Sequence, residues 1–209
     1  MNEVVWISTA PGHASNMRRL RHDVDERGRE AFEPILDRIK AGEPLLDDDF
    51  PERVYGAPDA DERDYNLPDL FKAYGFWVVS SAARDVLDAL DLDLGEMRPV
   101  DVLKNDKQTP VGGTWFCISF GNRKQALLPA ESRRMRLNYI KDGRKGWFPA
   151  FGIKDDDVAV SARALEGPDI WIDPDVGDSF FLSDRAVRAL KKAKAAKGFL
   201  LSRCRVIAE

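Results

Sequence analysis

The chemically most versatile side chains in this 209-residue chain are two histidines and two cysteines. His13 and His22 could act as general bases or metal ligands, and Cys117 and Cys204 could act as nucleophiles. Both histidines lie in a polar region, residues 11–30, without a cysteine or carboxylate at the spacing of a metal site. Each cysteine is flanked by apolar residues at alternate positions of a predicted strand. The sequence therefore predicts surface histidines and small buried thiols.

Two runs of three aspartates, at residues 47–49 and 155–157, suggest metal ligation at first sight. Adjacent carboxylates of a strand point to opposite faces, and neither run continues into a calcium-loop pattern. The Gly112-Gly113 pair lacks the spacing of a phosphate-binding loop, and the chain contains no G-x-S-x-G elbow. We therefore predict charged turns at both runs and no bound cofactor.

Elements that would position these residues can be assigned from periodicity. Residues 29–40 place four apolar side chains at helical spacing before Gly42, and strands are predicted at residues 4–9, 114–120, 135–140, 158–165 and 170–172. Four prolines between residues 43 and 70 favour an irregular segment there. Glycines and a proline between residues 143 and 152 predict loops. We expect an α+β fold with a mixed or antiparallel sheet and a few helices.

Two strand-helix-strand units, residues 76–103 and 179–207, resemble each other. In each, an aromatic strand ends in a capping residue and enters a helix whose apolar residues lie three and four positions apart. Ser183 or Asp184 is expected to cap the second helix, and Gly198 to end it in a left-handed conformation. The units are either an internal duplication or two ordinary units that look alike.

Charge is unevenly distributed along the chain. Residues 43–64 contain nine acidic and two basic residues, a local net charge of −7, whereas residues 185–205 contain eight basic residues and no acidic one. An acidic, proline-rich loop could steer a basic partner or could simply be solvated. The candidate partner-binding residues in this loop are Asp47, Asp48, Asp49, Asp59, Asp61 and Glu62.

Residues 133–147 mix basic and aromatic side chains in the manner of single-strand nucleic-acid binders. The overall charge of −4 and the pI near 5.4 make nucleic acid an unlikely partner. No apolar run approaches the roughly 20 residues that cross a bilayer, and the N-terminus resembles a first strand rather than a signal peptide. We expect a cytoplasmic protein without membrane contact.

The stretch Asp169-Ile170-Trp171, the run from Phe180 to Asp184, Ala189-Leu190 and Gly198-Phe199 resemble a bacterial family of immunity proteins of polymorphic toxin systems. This family is numbered eleven among immunity families and was formerly a domain of unknown function. The run Phe76 to Ser81 with Val86-Leu87 looks like the upstream part of the same domain. The resemblance covers roughly residues 70–209.

The resemblance implies a non-enzymatic protein that binds and neutralises a cognate toxin, using Trp171, Phe180, Phe181 and Leu190 as core. The charge pattern adds the expectation of a basic toxin. Two parts are predicted: residues 1–70, with a strand, a helix and the acidic loop packed on the rest, and residues 71–209, the immunity-type domain. The alternative is an enzyme or small-ligand protein with a pocket between the two units, lined by Trp115, Trp147 and Trp171. The oligomeric state is left open.

Overall fold

The computed structural model describes residues 4–139 and 145–208. Within these ranges the three α-helices are α1 (Arg29–Ala41), α2 (Ser81–Leu87) and α3 (Asp184–Lys192). The strands are β1 (Val5–Ser8), β2 (Leu20–His22), β3 (Arg53–Gly56), β4 (Leu70–Ala73), β5 (Phe76–Ser80), β6 (Glu96–Leu103), β7 (Trp115–Ser119), β8 (Met135–Tyr139), β9 (Lys145–Pro149), β10 (Ala159–Ser161), β11 (Ile170–Trp171), β12 (Phe180–Ser183) and β13 (Leu201–Ile207). They form mixed and antiparallel sheets, as an α+β fold requires.

Two larger sheets share one topology. The first has the order β11-β12-β1-β13-β10 and the second the order β4-β5-β7-β6-β3, with β2 added at its edge. In both, the first three pairs are antiparallel and the fourth is parallel. The predicted similarity of the two strand-helix-strand units therefore extends to the sheets that contain them.

The two sheets differ in where the central strand comes from in the chain. In the second sheet β7 follows β6 directly, whereas in the first sheet the equivalent place beside β13 is taken by β1, from the N-terminal end of the described chain. Val5 lies opposite Ser183 on one side and opposite Cys204 on the other. The sheets are thus related by a circular permutation of strand order.

Matching loops connect the two larger sheets. Each edge strand begins at a Pro-Asp pair, Pro68-Asp69 before β4 and Pro168-Asp169 before β11. The amide of Leu70 donates to the Lys197 carbonyl (3.1 Å), in the loop after α3, and the amide of Asp169 donates to the Asp91 carbonyl (2.8 Å), in the loop after α2. The loop after the helix of each sheet therefore hydrogen-bonds to the start of the other sheet's edge strand.

The core lies in three layers because side chains alternate across each strand. Trp77 and Val79 of β5 face Phe180 and Leu182 of β12 in an inner core that also receives α2 and α3. The opposite face of the second sheet packs against α1 through Phe32 and neighbouring residues. The opposite face of the first sheet buries Trp171 and Phe181. The predicted core residues Trp171, Phe180, Phe181 and Leu190 are at most 1% exposed.

Serine caps both inner helices. Ser80 Oγ accepts a hydrogen bond from the Ala83 amide (3.2 Å), and Ser183 Oγ accepts one from the Ala186 amide (3.1 Å). Each satisfies a first-turn donor that has no partner within the helix. Of the two predicted caps of α3, Ser183 is therefore the cap, while Asp184 accepts the Trp6 indole N–H (3.0 Å).

The predicted end of α3 is wrong. The helix ends at Lys192, and Lys194 adopts the left-handed conformation with φ of 56°. The amides of Lys194 and Ala195 donate to the carbonyls of Lys191 and Leu190, which is the hydrogen-bond pattern of a Schellman end. Gly198 has φ of 97°, but it lies in the following turn, where an added Cβ would stand 2.3 Å from the Leu70 carbonyl oxygen.

Several strand predictions need correction. β3 lies within the segment that was expected to be irregular, and β9 contains Gly146 and Pro149, which were expected to mark loops. The expected strand at residues 158–165 stops at Ser161 and continues as a 3₁₀ turn, Ala162–Leu165. Ile140, the predicted end of the strand that begins at Met135, lies outside the described residues.

Candidate functional surfaces

The acidic loop is divided into two clusters. Asp47, Asp48 and Asp49 form a 3₁₀ turn before β3, and Asp59, Asp61 and Glu62 follow that strand. Asp47 pairs with Arg98 near the start of β6, whereas Glu62 pairs with Lys104 just beyond its end. Arg98 and Lys104 are six positions apart along extended chain, which corresponds to about 20 Å. The structure therefore does not gather the six carboxylates at one point.

In the first cluster, two carboxylates have basic partners. Asp49 is 7% exposed and accepts hydrogen bonds from the Leu46 amide (2.8 Å) and from Arg38 of α1 (2.6 Å). Asp47 Oδ1 accepts from Arg98 at 2.6 Å. Asp48 is exposed, and its carboxylate bonds to no residue within the described ranges. Asp49 thus stabilises the turn, while Asp47 and Asp48 lie at the surface.

In the second cluster, Arg19 contacts three carboxylates. Its guanidinium lies 2.9 Å from Asp61, 2.9 Å from Asp64 and 3.5 Å from Asp59. Hydrogen bonds from Arg63 lower the pKa of Asp61 below its ordinary value. Lys104 Nζ lies 2.8 Å from Glu62. Basic residues from distant parts of the chain therefore compensate much of the local charge of −7.

His22 is not part of a catalytic arrangement among the described residues. His22, predicted at the surface, is fully buried against Phe32 and Phe76. Its Nδ1 accepts the Asp25 amide hydrogen (3.0 Å), so Nε2 carries the proton and donates to the Tyr74 carbonyl (3.3 Å). Burial lowers the pKa of His22. The neutral ring therefore joins β2 to the turn after β4.

The remaining candidate side chains have structural roles. Both cysteines are free and buried, and burial raises the pKa of each thiol. The aspartate run at residues 155–157 is a turn in which Asp156 pairs with Arg203 at 2.7 Å. Among the described residues, no group of three or more His, Cys, Asp or Glu side chains could hold a metal ion.

The three tryptophans do not line one pocket. Trp115 packs in the outer core of the second sheet, Trp171 packs in the outer core of the first, and Trp147 lies on β9. The space between the two units is filled by the inner core. An open cleft of about 670 Å³ instead lies along β6 beside Trp115. These positions do not support the expected pocket between the units.

The basic-aromatic run at residues 133–147 includes a hairpin of β8 and β9 that packs beside the first sheet. Arg133, Arg134 and Arg136 are exposed, and none forms an ion pair within residues 4–139 or 145–208. Leu137 is 51% exposed and Phe151 84% exposed. The sequence revealed the charge but not β9, because its glycine and proline were taken as loop markers. Lys141 and Arg144 lie outside the described residues.

Together, the fold and these surfaces define an α+β protein of two matching sheets, with paired carboxylates around one sheet and an exposed basic hairpin beside the other. The model of the immunity protein family Imm11 matches residues 7–205. The chain therefore belongs to the Imm11 immunity protein family. The match begins in β1, so it also covers most of the first seventy residues, for which the sequence alone had suggested no relative. A search of curated proteins finds no match to this chain. None of the described helices is long and apolar enough to span a membrane.

Proposed function

We propose that this protein binds a cognate bacterial toxin and neutralises it by occupying its surface, without catalysis. The observation that carries the proposal is the family match over residues 7–205. The two free cysteines are consistent with action in the reducing cytosol, where thiols stay unpaired. The described surfaces offer charged and apolar side chains for contact, which is what a binding protein needs.

We further propose that the exposed part of the acidic loop contacts a basic region of the toxin. Asp47, Asp59 and Glu62 expose 83%, 74% and 82% of their side chains, and within the described ranges each reaches one basic partner. Rim charges of this kind accelerate association with a complementary surface. Asp49 and Asp61 are better assigned to holding the loop, because their hydrogen bonds lie within it or run to Arg38 and Arg19.

Co-purification of the tagged protein from its native host, with mass identification of the bound chain, tests the proposed function. Expression of that chain should arrest growth of a bacterial host, and co-expression of this protein should restore growth. If the bound chain is harmless alone, or if growth is not restored, the immunity role is wrong.

The acidic contact is tested separately with Asp47→Asn, Asp48→Asn, Asp59→Asn and Glu62→Gln combined, which leaves the buried Asp49 intact. The expected result is a slower association rate that no longer depends on salt. The matched control neutralises two exposed carboxylates, Asp85 of α2 and Asp88 directly after it, whose ion pairs among the described residues are both with Arg84. Equal rates for both variants would move the contact away from the acidic loop and leave the immunity role intact.

A further inference from the structure

One edge of the β8–β9 hairpin presents backbone groups that bond to no described residue. The Ala150 amide donates to the Arg134 carbonyl (2.7 Å), and the register places Arg136 opposite Phe148 and Asn138 opposite Gly146. In an antiparallel pair, alternate residues bond to the partner strand and the residues between them point away. The amides and carbonyls of Met135 and Leu137 therefore point away from β9.

The two edges of the hairpin differ in what covers them. The outer edge of β9 is covered, because the Trp147 amide donates to the Asp175 carbonyl (2.7 Å) and its carbonyl accepts from the Gly177 amide (2.9 Å). Within the described part of the chain, no backbone group bonds to the outward amides of Met135 or Leu137. Unpaired strand edges of this kind are templates for another strand.

Charge and apolar surface adjoin the open edge. Arg133, Arg134 and Arg136 are exposed and form no ion pair among the described residues. Most carboxylates of the acidic loop, in contrast, do form ion pairs. Residues 133–138 carry three basic residues and no acidic residue. Leu137 lies on β8 itself, and Phe151 lies close by, because Arg134 donates to its carbonyl at 2.7 Å. The edge thus suits an extended segment that alternates acidic and apolar residues.

We propose that the open edge of β8 takes an extended acidic segment of the toxin as a third strand of the hairpin. This inference rests on the proposed immunity function and locates a contact on the side of the first sheet. Main-chain bonds to Met135 and Leu137 provide affinity, the arginines select acidic side chains, and Leu137 packs an apolar one.

A second copy of this chain is a poorer occupant of the edge. An antiparallel pair of β8 strands centred on Met135 would place Arg134 opposite Arg136 of the other copy. A pair centred on Leu137 would bring the two Arg136 residues onto one diagonal. Like charges at such cross-strand positions are destabilising. The charge pattern therefore favours a different, acidic chain.

The first test uses the free protein and a short blocked peptide that alternates Glu and Val, with a Lys-Val peptide as the matched control. Amide hydrogen exchange is followed by NMR. The Glu-Val peptide should slow exchange at Met135 and Leu137 by at least about tenfold while the Lys-Val peptide leaves it unchanged. Equal effects of both peptides, or protection at neither amide, would overturn the proposal.

The second test measures the affinity of the co-purified toxin for Leu137→Pro and Leu137→Ala. Proline removes an outward N–H that no described group uses, so β8 can still pair with β9. Leu137→Pro should weaken binding at least about tenfold beyond Leu137→Ala, and Arg133→Glu with Arg136→Glu should weaken it further. Thermal unfolding confirms that each variant is folded.

The outcomes separate the two proposals. Unaltered toxin affinity in Leu137→Pro together with unprotected amides in the wild-type complex refutes the edge contact and leaves the immunity role in place. A β8-edge dimer in solution would also refute it. A third outcome is that no toxin binds this protein or is neutralised by it, while the Glu-Val peptide still binds at the edge of β8. In that case the immunity role fails and the acidic-strand site stands.

Discussion

Removal of the Asp169 carboxylate should destabilise the protein more than removal of its counterpart Asp69. Asp169 is 3% exposed and accepts hydrogen bonds from the Asp91 amide (2.9 Å), from the Ser183 hydroxyl and from Arg185. Asp69 is only partly buried and accepts from the Ser80 hydroxyl (2.9 Å) and the Lys197 amide (3.1 Å). Asp69 and Asp169 therefore allow the same hydrogen-bonding role of a carboxylate to be compared at two degrees of burial.

The magnitude follows from the donors that each change abandons. A buried donor without a partner costs about 1–3 kcal/mol, and the exposed Arg185 adds less than about 1 kcal/mol. Asp169→Ala abandons two partly buried donors, the Asp91 amide and the Ser183 hydroxyl, and should lower the free energy of unfolding by about 3 kcal/mol. Water can reach the groups that Asp69→Ala abandons, so its loss should be about 1–2 kcal/mol.

Urea denaturation of both variants and the wild type measures these losses. Burial alone would raise the pKa of Asp169, but the hydrogen bonds from Arg185, Ser183 and the Asp91 amide outweigh it and lower the pKa below its ordinary value. The charged carboxylate therefore adds stability that is present above about pH 4 and is lost as pH falls further. Asp169→Asn should flatten that acid-side loss. A larger effect at Asp69, or equal effects at both sites, would refute the argument from depth.

Three further predictions concern stability. Because burial lowers the pKa of His22, the unfolded chain takes up the proton first, so stability should fall as pH drops below about 6.5; His22→Gln should remove this dependence in urea titrations at several pH values. Lys194→Gly should raise the free energy of unfolding by about 1 kcal/mol by relieving the left-handed φ, whereas Lys192→Gly, inside the helix, should lower it by about 1 kcal/mol. Gly198→Ala should lower the thermal midpoint more than Gly152→Ala, since both have positive φ but only Gly198 approaches another backbone; equal shifts would contradict the steric reasoning.

The sequence was sufficient to predict those elements whose determinants lie close together along the chain. The apolar spacing of α1, the two strand-helix-strand units and the position of the α3 cap, to within Ser183 or Asp184, were predicted because their determinants lie within a few residues of one another. β3 was missed because it pairs with the distant strand β6, and β9 was missed because residues 175–177 hold its outer edge in addition to its hairpin partner β8. Tertiary hydrogen bonds outweigh the poor strand propensity of Gly146 and Pro149.

The candidate surfaces show the same division. Counting charges along the chain found the acidic loop, but not its compensation, because Arg98 and Lys104 lie more than forty positions away from Asp47 and Glu62. The run of arginines before β8 was visible in the sequence, whereas its position beside an open strand edge depends on the register with β9. Charge can be read locally, but the pairing of charges depends on the fold.

The position of β1 between β12 and β13 has a consequence for synthesis on the ribosome. Both partners of this strand follow it by more than 170 residues, so β1 stays without its sheet partners until β12 and β13 have been translated. At about 5–20 residues per second, the apolar side chains of Val5 and Ile7 wait roughly 10–40 s for their partners. During translation the first sheet is therefore incomplete until β13 emerges, and chaperones that bind exposed apolar segments have this whole interval in which to bind β1.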